Sequence, residues 1–399
     1  MRSGNYILWL PSWYPNEREP FNGDFIQRHA KAASLNDKII VIFFTEFGET
    51  VRQQAKVVNA INGNLEEITA YIPFKPFGIR FIDRIRYNFQ FYRLSAIFLQ
   101  TFFREHGLPL LVHVHVPVKA GNLALWIKKK FSVPYIVSEQ SSTYLEQAGK
   151  DYFKRRHWVY RQSVKRIFSG ALLVTNVSRA VGEILQELFT IKQMSVIYNV
   201  VDTEMFRPAL PDQSCFTYIH VSSLTEQKNI FGILGVFKRL ASIRTDWKFL
   251  VVGPYTSEIQ SFIIKEKLDD LISLRGEVSH EIVANLMSQA NALVLFSRHE
   301  NFPCVVVESL CCGIPVIASD VAGINECVDK SNGMLVQSED EDSLLRALLE
   351  IREVYHTYDH LSIAKEAAGR FSYPVIGENF KKLYEHAVQR SHSSKYEKG

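Results

Sequence analysis

The sequence predicts an α/β protein with two doubly wound domains, each built on a parallel sheet that carries helices on both faces. Three observations lead to this prediction. Short apolar and β-branched runs alternate with longer amphipathic stretches. The length of 399 residues is too great for one hydrophobic core and suits two domains of ordinary size. A polar, proline-bearing segment at 199–214 marks a seam between the halves.

The candidate strands form one set on each side of the seam. They are Tyr6–Leu10, Lys38–Phe44, Leu110–Val116, Tyr135–Ser138, Ala171–Val174 and Ser195–Tyr198 before it, and Thr217–Val221, Lys248–Val252, Ile272–Leu274, Ala292–Phe296, Pro315–Ala318 and Gly333–Val336 after it. The clearest helical patterns are Phe25–Ser34, Ile230–Ser242, His280–Gln289, Val305–Cys312 and Asp342–Val354. Strands joined through right-handed helical crossovers lie parallel. We therefore place one domain at 1–200 and the other at 201–374.

The composition is that of a globular protein, with 47% apolar and 22% charged residues. No run of about 18 apolar residues occurs, so no transmembrane helix is predicted. The five cysteines are odd in number, and none has the spacing of a zinc site or a redox Cys-x-x-Cys motif. The expected location is therefore a reducing cytoplasm.

The net charge of +4 conceals an asymmetry between the halves. Residues 1–200 carry 26 Lys+Arg against 15 Asp+Glu, a balance of +11. Residues 201–399 carry 20 against 27, a balance of −7. A basic half indicates an anionic partner, which can be a membrane, a phosphate-bearing acceptor or nucleic acid. The absence of a recognisable nucleic-acid-binding motif argues against the last of these.

One segment, 297–319, joins a buried strand to a helix through a polar loop. Pro303 suits the first helical turn, and Gly313 suits the residue that ends the helix. Glu300 then lies in the loop, and Glu308 lies on the helix. Free amides there favour an anionic or hydroxyl-rich ligand, and both carboxylates can accept hydrogen bonds from the hydroxyls of a sugar or a ribose. From these residues alone, a solvated Glu300 and a Glu308 paired with a surface cation are equally open.

Six motifs follow one another along the second half of the chain. They are Asn199-Val-Val-Asp202 with Phe206-Arg-Pro208, His220-Val-Ser-Ser-Leu-Thr-Glu-Gln-Lys228, Val252-Gly-Pro254, Arg275-Gly-Glu-Val278, Glu300-x7-Glu308 with Gly313-Ile-Pro-Val-Ile-Ala-Ser319, and Ala322-Gly-Ile-Asn-Glu326. In this order they resemble the retaining glycosyltransferases of family four, the "glycosyl transferases group 1" type. The match runs from about Tyr6 to Tyr384.

The resemblance implies the two-domain fold called GT-B, with a cleft between Rossmann-like domains. It implies that the second half binds a nucleotide-sugar and that the first half binds the acceptor. A C-terminal helix at about 375–390 is expected to cross back to the first domain. Retention of the anomeric configuration is implied, and no metal or other cofactor is expected, since no Asp-x-Asp motif follows a strand.

The resemblance also assigns roles to residues of the second half. Lys228 is expected to stabilise the departing phosphate, Glu300 to hold sugar hydroxyls and Glu308 to hold the ribose diol. The family usually has an arginine five residues before this lysine, where Ser223 stands here. The full set of expected donor-binding residues is Gly23, Ser223, Lys228, Gly276, Val278, Glu300, Asn301, Phe302, Pro303 and Glu308.

In the first half, His115 ends a candidate strand and matches the family's active-site histidine. We expect His115, Lys228 and Glu300 to be the catalytic residues. His113, two residues earlier, is interpreted as structural. Glu139 and Gln140 follow another strand and are expected to bind the acceptor, although Glu139 can equally be a capping or surface acid.

The segment Phe77–Glu105 contains nine aromatic residues and five arginines against two acidic residues. An aromatic and cationic helix can lie on an anionic bilayer, with its rings at the headgroup boundary. The alternative is an ordinary helix whose aromatic residues are buried in the domain core. We favour membrane contact, with the protein peripheral at the inner face of the cytoplasmic membrane.

These observations predict a glycosyltransferase that moves a sugar from a nucleotide-sugar to a saccharide or lipid-linked acceptor, in the synthesis of cell-surface polysaccharide or lipopolysaccharide. Two alternatives are a phosphorylase or synthase of the same fold and a non-catalytic nucleotide-sugar-binding protein. The presence of Lys228, Glu300 and Glu308 argues against a loss of catalysis.

Overall fold

The computed structural model describes residues 4–46, 56–141, 144–145, 150–209 and 215–396. Two sheets divide the described residues, and the change from one sheet to the other occurs between Val196 and Phe216. Residues 210–214 of the predicted linker lie outside the described part. The domain limits at residues 200 and 374 stay a prediction.

The first sheet has eight strands in the order β3-β4-β2-β1-β5-β6-β7-β8. The strands are β1 Ile7–Pro11, β2 Ile39–Glu46, β3 Lys56–Asn62, β4 Leu65–Ile72, β5 Leu111–His115, β6 Tyr135–Glu139, β7 Val174–Asn176 and β8 Met194–Val196. Edge strand β3 pairs antiparallel with β4, and the other described pairings are parallel. From β1 the chain adds strands first on one side and then, starting with β5, on the other. The carboxyl ends of β1 and β5 are therefore a ligand-binding position.

The helices of the first domain cover both faces of this sheet. They are α1 Asp24–Ala33, α2 Arg80–His106, α3 Ala120–Phe131, α4 Lys150–Arg155, α5 Trp158–Gly170 and α6 Arg179–Leu188. In β1, Ile7 and Trp9 belong to the core cluster that includes α1, whereas Leu8 and Leu10 belong to the cluster that includes α2 and α3. Both faces are buried, which explains why the strands appear in the sequence as continuous apolar runs.

The second sheet has six parallel strands in the order β11-β10-β9-β12-β13-β14. The strands are β9 Phe216–Val221, β10 Trp247–Val252, β11 Ile272–Leu274, β12 Ala292–Leu295, β13 Val316–Ser319 and β14 Gly333–Val336. The helices are α7 Ile230–Ala241, α8 Ser257–Lys265, α9 His280–Ser288, α10 Cys304–Cys311, α11 Glu341–Val354 and α12 His360–Phe371. This is the strand order of a dinucleotide-binding fold, and its connection changes direction between β9 and β12.

The last helix, α13 Tyr373–Tyr396, returns to the first domain and packs against α1. Ile376, Phe380 and Tyr384 are buried there. The indole Nε1–H of Trp9 donates a hydrogen bond to the Tyr384 hydroxyl over 3.0 Å. The predicted return of the C-terminal helix to the first domain is therefore confirmed.

The prediction missed one hairpin, β3 and β4. Strand β3 lies at the sheet edge and is mostly exposed, so it lacks the apolar run by which the buried strands were recognised. Gly63 and Asn64 form the two-residue loop between the strands, and Gly63 has a φ of +58°. A Gly-Asn pair between two strand patterns is a hairpin signal that could have revealed both strands.

Candidate active site

The carboxyl edges of the two sheets meet, and the predicted catalytic residues follow the strands at which each sheet changes direction. His115 is the last residue of β5. Lys228 ends a short 3₁₀ turn, Glu226–Lys228, that follows β9. Glu300 lies in the loop between β12 and α10. All three therefore lie where a doubly wound sheet binds its ligand.

Lys228 and Glu300 form an ion pair, with 2.5 Å between Nζ and Oε1. The loops that carry them are joined by further bonds: the Arg298 amide donates to the Gln227 carbonyl over 2.9 Å, and the Gln227 side-chain amide donates to the His299 carbonyl over 2.8 Å. The 226–228 turn and the 298–300 loop are thus bonded directly to each other. Together they present a cation beside a carboxylate, which suits a ligand bearing phosphate and hydroxyl groups.

The next residues of this loop bind the first domain. Asn301 donates from Nδ2 to the Gln140 carbonyl over 3.1 Å, and its Oδ1 accepts from the Ser178 hydroxyl over 3.1 Å. Phe302 is buried and stacks on Tyr198 with 4.8 Å between ring centroids. The described contacts of Asn301 and Phe302 therefore hold the two domains together, and their expected donor role stays a prediction.

The helix after this loop begins between the predicted pattern at Val305 and the first turn in which Pro303 was expected. Pro303 is the residue before helix α10, and Cys304 is the first helical residue. A proline has no amide hydrogen, so Pro303 cannot itself donate to a phosphate. The amides at the N-terminus of α10 that can do so belong to Cys304 and Val305.

Gly323 fixes the position of this loop from the opposite side. It has a φ of +81°, and a Cβ there would overlap the Asn301 carbonyl oxygen. A glycine is therefore required on two separate grounds. The sequence analysis noted Gly323 within a motif but did not assign it to the site.

Glu308 is buried and paired with a residue that sequence reasoning missed. Arg28 of α1 lies with Nη1 2.5 Å from Oε1 of Glu308 and with Nη2 3.1 Å from Oδ2 of Asp24. The same Asp24 oxygen lies 3.3 Å from Nε2 of His280 in the second domain. The Asp24-x3-Arg28 spacing indicates a helical ion pair, but no feature of the sequence links it to Glu308.

His115 ends a chain of hydrogen bonds through buried side chains. His29 Nε2 lies 2.9 Å from the Tyr198 carbonyl, and His29 Nδ1 lies 2.8 Å from Nε2 of Gln140. Gln140 Oε1 lies 3.5 Å from Nδ1 of His115. The Nε2 atom of His115 is buried and has no hydrogen-bond partner among the described residues.

This chain determines which nitrogens carry protons. Burial lowers the pKa of His29 to about 4 and the pKa of His115 well below its usual value, so both rings are neutral. A carbonyl can only accept, so His29 is protonated at Nε2 and accepts at Nδ1. Gln140 then turns its amide nitrogen to His29 and its oxygen to His115. His115 is consequently protonated at Nδ1, and its Nε2 carries a free lone pair.

The neighbouring histidine behaves as a structural residue. His113 is buried, with Nδ1 2.9 Å from the Tyr384 hydroxyl and Nε2 2.7 Å from the Ser138 hydroxyl. Both of its ring nitrogens are therefore satisfied, whereas the Nε2 atom of His115 has no partner among the described residues. This agrees with the interpretation of His113 from the sequence.

Glu139 is fully buried, and its Oε1 accepts from the amides of Gln140 and Ser141 and from the Ser141 hydroxyl at 2.8–2.9 Å. Burial raises its pKa to about 7, although these hydrogen bonds oppose the shift. Glu139 is therefore not a surface acid. The described side-chain contacts of Gln140 are to two histidines, and acceptor binding by Glu139 and Gln140 stays a prediction.

Four expected donor-binding residues remain, namely Gly23, Ser223, Gly276 and Val278. Gly23 has a φ of +70°, and a Cβ there would lie 2.7 Å from the carbonyl of Trp13, so its own loop requires the glycine. Ser223 is exposed, with its hydroxyl 3.5 Å from that of Thr225. Gly276 has a φ of +70° with open space at the Cβ position, and Val278 is half-buried. Their donor roles stay predictions.

Within the described ranges, no group of three or more His, Cys, Asp or Glu side chains could hold a metal ion. This leaves the expectation of a metal-independent reaction untested. None of the described helices has the length and apolarity needed to cross a bilayer.

The α2 helix fits both interpretations of the Phe77–Glu105 segment, each over part of its length. Phe91, Phe102 and Phe103 are buried, as in an ordinary core helix. Phe81 and Phe89 are 73% and 70% exposed. The amino-terminal half of α2 therefore leaves aromatic rings on the surface, and membrane contact stays a prediction.

Two Rossmann-like domains whose carboxyl edges meet around a lysine–glutamate pair and a buried histidine define a GT-B glycosyltransferase. The comparisons with known families agree. The family model for glycosyl transferases group 1 matches residues 201–367, and the model for Glycosyltransferase Family 4 matches residues 41–205. The chain belongs to this family of glycosyltransferases.

Individual relatives cover nearly the whole chain at low identity. TuaC of Bacillus subtilis, a glycosyltransferase provisionally assigned to teichuronic acid biosynthesis, is 24% identical over 393 residues, which are 94% of each chain. The solved structure of sucrose-phosphate synthase from Thermosynechococcus elongatus superposes with a TM-score of 0.75 and 17% identity over 96% of this chain and 100% of that one. HepE of Anabaena in complex with UDP-glucose gives a TM-score of 0.69 and 19% identity over the same shares.

Proposed function

We propose that this glycosyltransferase moves a sugar from a nucleotide-sugar to a lipid-linked saccharide, with retention of the anomeric configuration and without a metal ion. One observation carries the proposal. The Lys228–Glu300 pair of the second domain is connected through Asn301 and Gln140 to His115 of the first. A cation, a carboxylate and a neutral imidazole are thus linked across the contact between the two domains, which supports a ligand that spans both.

Lys228 has the position and charge to hold the donor diphosphate. As the bond from the sugar to the phosphate breaks, negative charge grows on the leaving oxygen, and a fixed ammonium stabilises it. Ser223 supplies no second cation, so Lys228 is expected to contribute more here than in relatives that have an arginine at that position. Glu300, held by Lys228, would orient the sugar by accepting from its hydroxyls.

His115 would contact the donor sugar from the other side. Its Nε2 lone pair is an acceptor without a partner, so a sugar hydroxyl donating to it would satisfy a buried polar atom. Because the ring is neutral, it would not repel the positive charge that develops on the sugar in the transition state. Retention would follow from attack by the acceptor on the same face from which the diphosphate departs.

The relatives support an acceptor in cell-surface polysaccharide synthesis. The TuaC alignment extends over nearly all of both chains, and its assignment to teichuronic acid biosynthesis suggests a comparable polymer here. The basic first half and the exposed rings of α2 support work at the cytoplasmic face of an anionic membrane.

The proposal is tested first by a thermal-shift panel of nucleotide-sugars with and without EDTA. A ligand that binds only the folded protein raises its melting temperature with occupancy, so the donor should give the largest shift in both conditions. With that donor, the anomeric configuration of the product is read by NMR. Inversion of configuration, or turnover that EDTA abolishes, would contradict the corresponding part of the proposal.

The second test is Lys228→Ala, which should lower turnover roughly tenfold or more by removing the contact to the diphosphate. Lys238→Ala is the matched control, since Lys238 is half-exposed and pairs with Glu266 on the helical face of the same domain. Full activity of Lys228→Ala would exclude Lys228 from leaving-group stabilisation.

A further inference from the structure

A large groove lies on the first domain between α2, α3 and α5. Its volume is 1410 Å³. Seven Phe, Tyr and Trp side chains line it, namely Phe81, Tyr87, Phe89, Tyr92, Trp126, Trp158 and Tyr160. Phe81, Phe89 and Trp158 are 63–73% exposed. A contiguous aromatic surface of this kind on a folded domain marks a binding site rather than ordinary surface.

The charge of the groove restricts its ligand. Its lining includes Arg84, Arg93, Lys119 and Arg166, and no Asp or Glu side chain of the described residues contributes to it. A long apolar floor with cations along it suits a molecule that combines a hydrocarbon chain with negative charge. The concave shape favours a single such molecule over the flat face of a bilayer.

A second, smaller cavity of 240 Å³ adjoins the groove. It lies at the carboxyl ends of β1 and β2 and is lined by polar residues that include Ser12, Asn22 and Glu46. The groove and this cavity share Tyr87, Lys119 and Leu123 in their linings. The two spaces are therefore neighbours, and the smaller one lies at the end of β1, where Pro11 pairs with His115 of β5.

Lys119 stands at the junction of the two spaces. Its Nζ lies 4.7 Å from the ring centroid of Tyr87, 5.2 Å from that of Phe91 and 3.4 Å from the Tyr87 hydroxyl. No carboxylate forms an ion pair with Lys119 in the part of the chain that the structure describes. Burial lowers its pKa, and the nearby charge of Glu46 only partly opposes this.

The backbone holds Lys119 in place. Its φ of +66° is rare for a residue with a side chain, and it immediately precedes helix α3. A half-buried ammonium whose described contacts are rings and one hydroxyl would gain substantially from an anion. The position and the charge of Lys119 together suit an anionic group of a ligand.

We propose that the groove binds the hydrocarbon chain of a lipid-linked acceptor, that Lys119 binds its phosphate, and that the 240 Å³ cavity receives the first sugar. This inference rests on the proposed function, because it identifies the acceptor of the same transfer. It assigns the acceptor class as a saccharide joined through phosphate to an isoprenoid or acyl chain. The exposed rings of α2 would contact the chain where it leaves the membrane.

Binding is tested with farnesyl phosphate as the probe, and with farnesol and inorganic phosphate as its two halves. Trp126 and Trp158 line the groove, so their fluorescence reports occupancy directly. Farnesyl phosphate should bind at least tenfold more tightly than either half. Equal affinity for farnesyl phosphate and farnesol would overturn the phosphate site, and binding of neither would overturn the groove.

Two variants separate the roles. Lys119→Met should abolish the preference for farnesyl phosphate over farnesol. Lys129→Met, which replaces an exposed lysine of helix α3, should retain it. Phe89→Asp should weaken both ligands at least tenfold. Because Phe89 is 70% exposed, this variant should fold normally, and an unchanged melting temperature verifies that.

The donor assay distinguishes failure of this inference from failure of the proposed function. If nucleotide-sugar raises the melting temperature but Lys119→Met and Phe89→Asp keep wild-type affinity for farnesyl phosphate, the groove inference fails alone. Binding to anionic vesicles that lack isoprenoid phosphate, with no loss in Lys119→Met, would point to a bilayer-docking surface and overturn it also. If no nucleotide-sugar binds, the proposed function fails, whether or not farnesyl phosphate binds in the groove.

Discussion

The Nη1 atom of Arg28, in the first helix of the first domain, lies 2.5 Å from Oε1 of Glu308 in the second domain. Both side chains are largely buried, at 12% and 5% exposure. The residue expected to hold the ribose of the donor is thus already engaged by the opposite domain. One carboxylate oxygen is committed to Arg28, so a ribose must use the other oxygen or displace the arginine.

Glu308→Gln should weaken nucleotide binding roughly tenfold or more, because it replaces a charged acceptor of two ribose hydroxyls with a neutral amide. Isothermal calorimetry with the nucleotide measures this directly. Nucleotide affinity equal to that of the wild type would refute the ribose assignment.

Arg28→Met distinguishes ribose binding from domain pairing. It should lower the melting temperature, since it leaves a buried carboxylate without its partner. Nucleotide affinity should nevertheless stay within a few-fold of wild type or rise, because the carboxylate becomes fully available. An equal loss of affinity in Arg28→Met and Glu308→Gln would mean that Glu308 acts through Arg28.

Gln140→Met should lower turnover roughly tenfold while nucleotide affinity stays unchanged, because it removes the amide that determines the protonated nitrogen of His115. Histidine ¹⁵N NMR should show His115 protonated at Nδ1 in the wild type and a mixture of tautomers in the variant. Gln289→Met is the control, since its amide bonds Asn285 on the surface. A wild-type protein with His115 protonated at Nε2 would contradict the hydrogen-bond chain.

Gly323→Ala should destabilise the protein by about 1–3 kcal/mol and reduce turnover, because a methyl group there meets the Asn301 carbonyl and the φ of +81° is strained for alanine. Gly369→Ala is the control, since it lies inside α12 with open space around the Cβ position. That change should stabilise the protein by about 0.5–1 kcal/mol. Denaturant unfolding measures the free energy of unfolding of both variants. A Gly323→Ala variant as stable as the wild type would show that the loop can move to accommodate a methyl group.

Glu139→Gln should change the pH dependence of stability. The folded-state pKa of about 7 lies above the unfolded value, so the folded state binds the proton more tightly and Glu139 makes stability fall as the pH rises from about 4.5 to about 7. Above pH 7 the variant should be more stable than the wild type by on the order of 3 kcal/mol. The buried histidines act in the opposite direction, but they are common to both proteins and cancel in the comparison. Parallel curves of melting temperature against pH would exclude the raised pKa.

The contact between Lys228 and Glu300 was predictable because each follows a strand at which the second sheet changes direction. Strand order alone brings such loops together, whatever the residues between them. The contact between Arg28 and Glu308 was not predictable, because it depends on how two separately folded domains meet. The same holds for Asn301 with Gln140 and Ser178.

Other parts of the site depended on three-dimensional detail that sequence patterns do not carry. The amide of Gln140 is an ordinary polar group in the sequence, and only its place between two buried histidines gives it a directing role. Lys119 was one of 46 basic residues. The role we propose for it rests on its place in the linings of two cavities.

The hydrogen bond from Trp9 to Tyr384 joins residues 375 positions apart in the chain. On the ribosome, the first two hundred residues emerge long before α13 has been translated. Until then α1 packs on this sheet face, but the part that Phe380 and Tyr384 cover stays open, and the second domain, which is contiguous, can close first. A nascent chain stalled before Tyr384 would therefore leave Trp9 without this hydrogen-bond partner and would present part of an apolar face to chaperones.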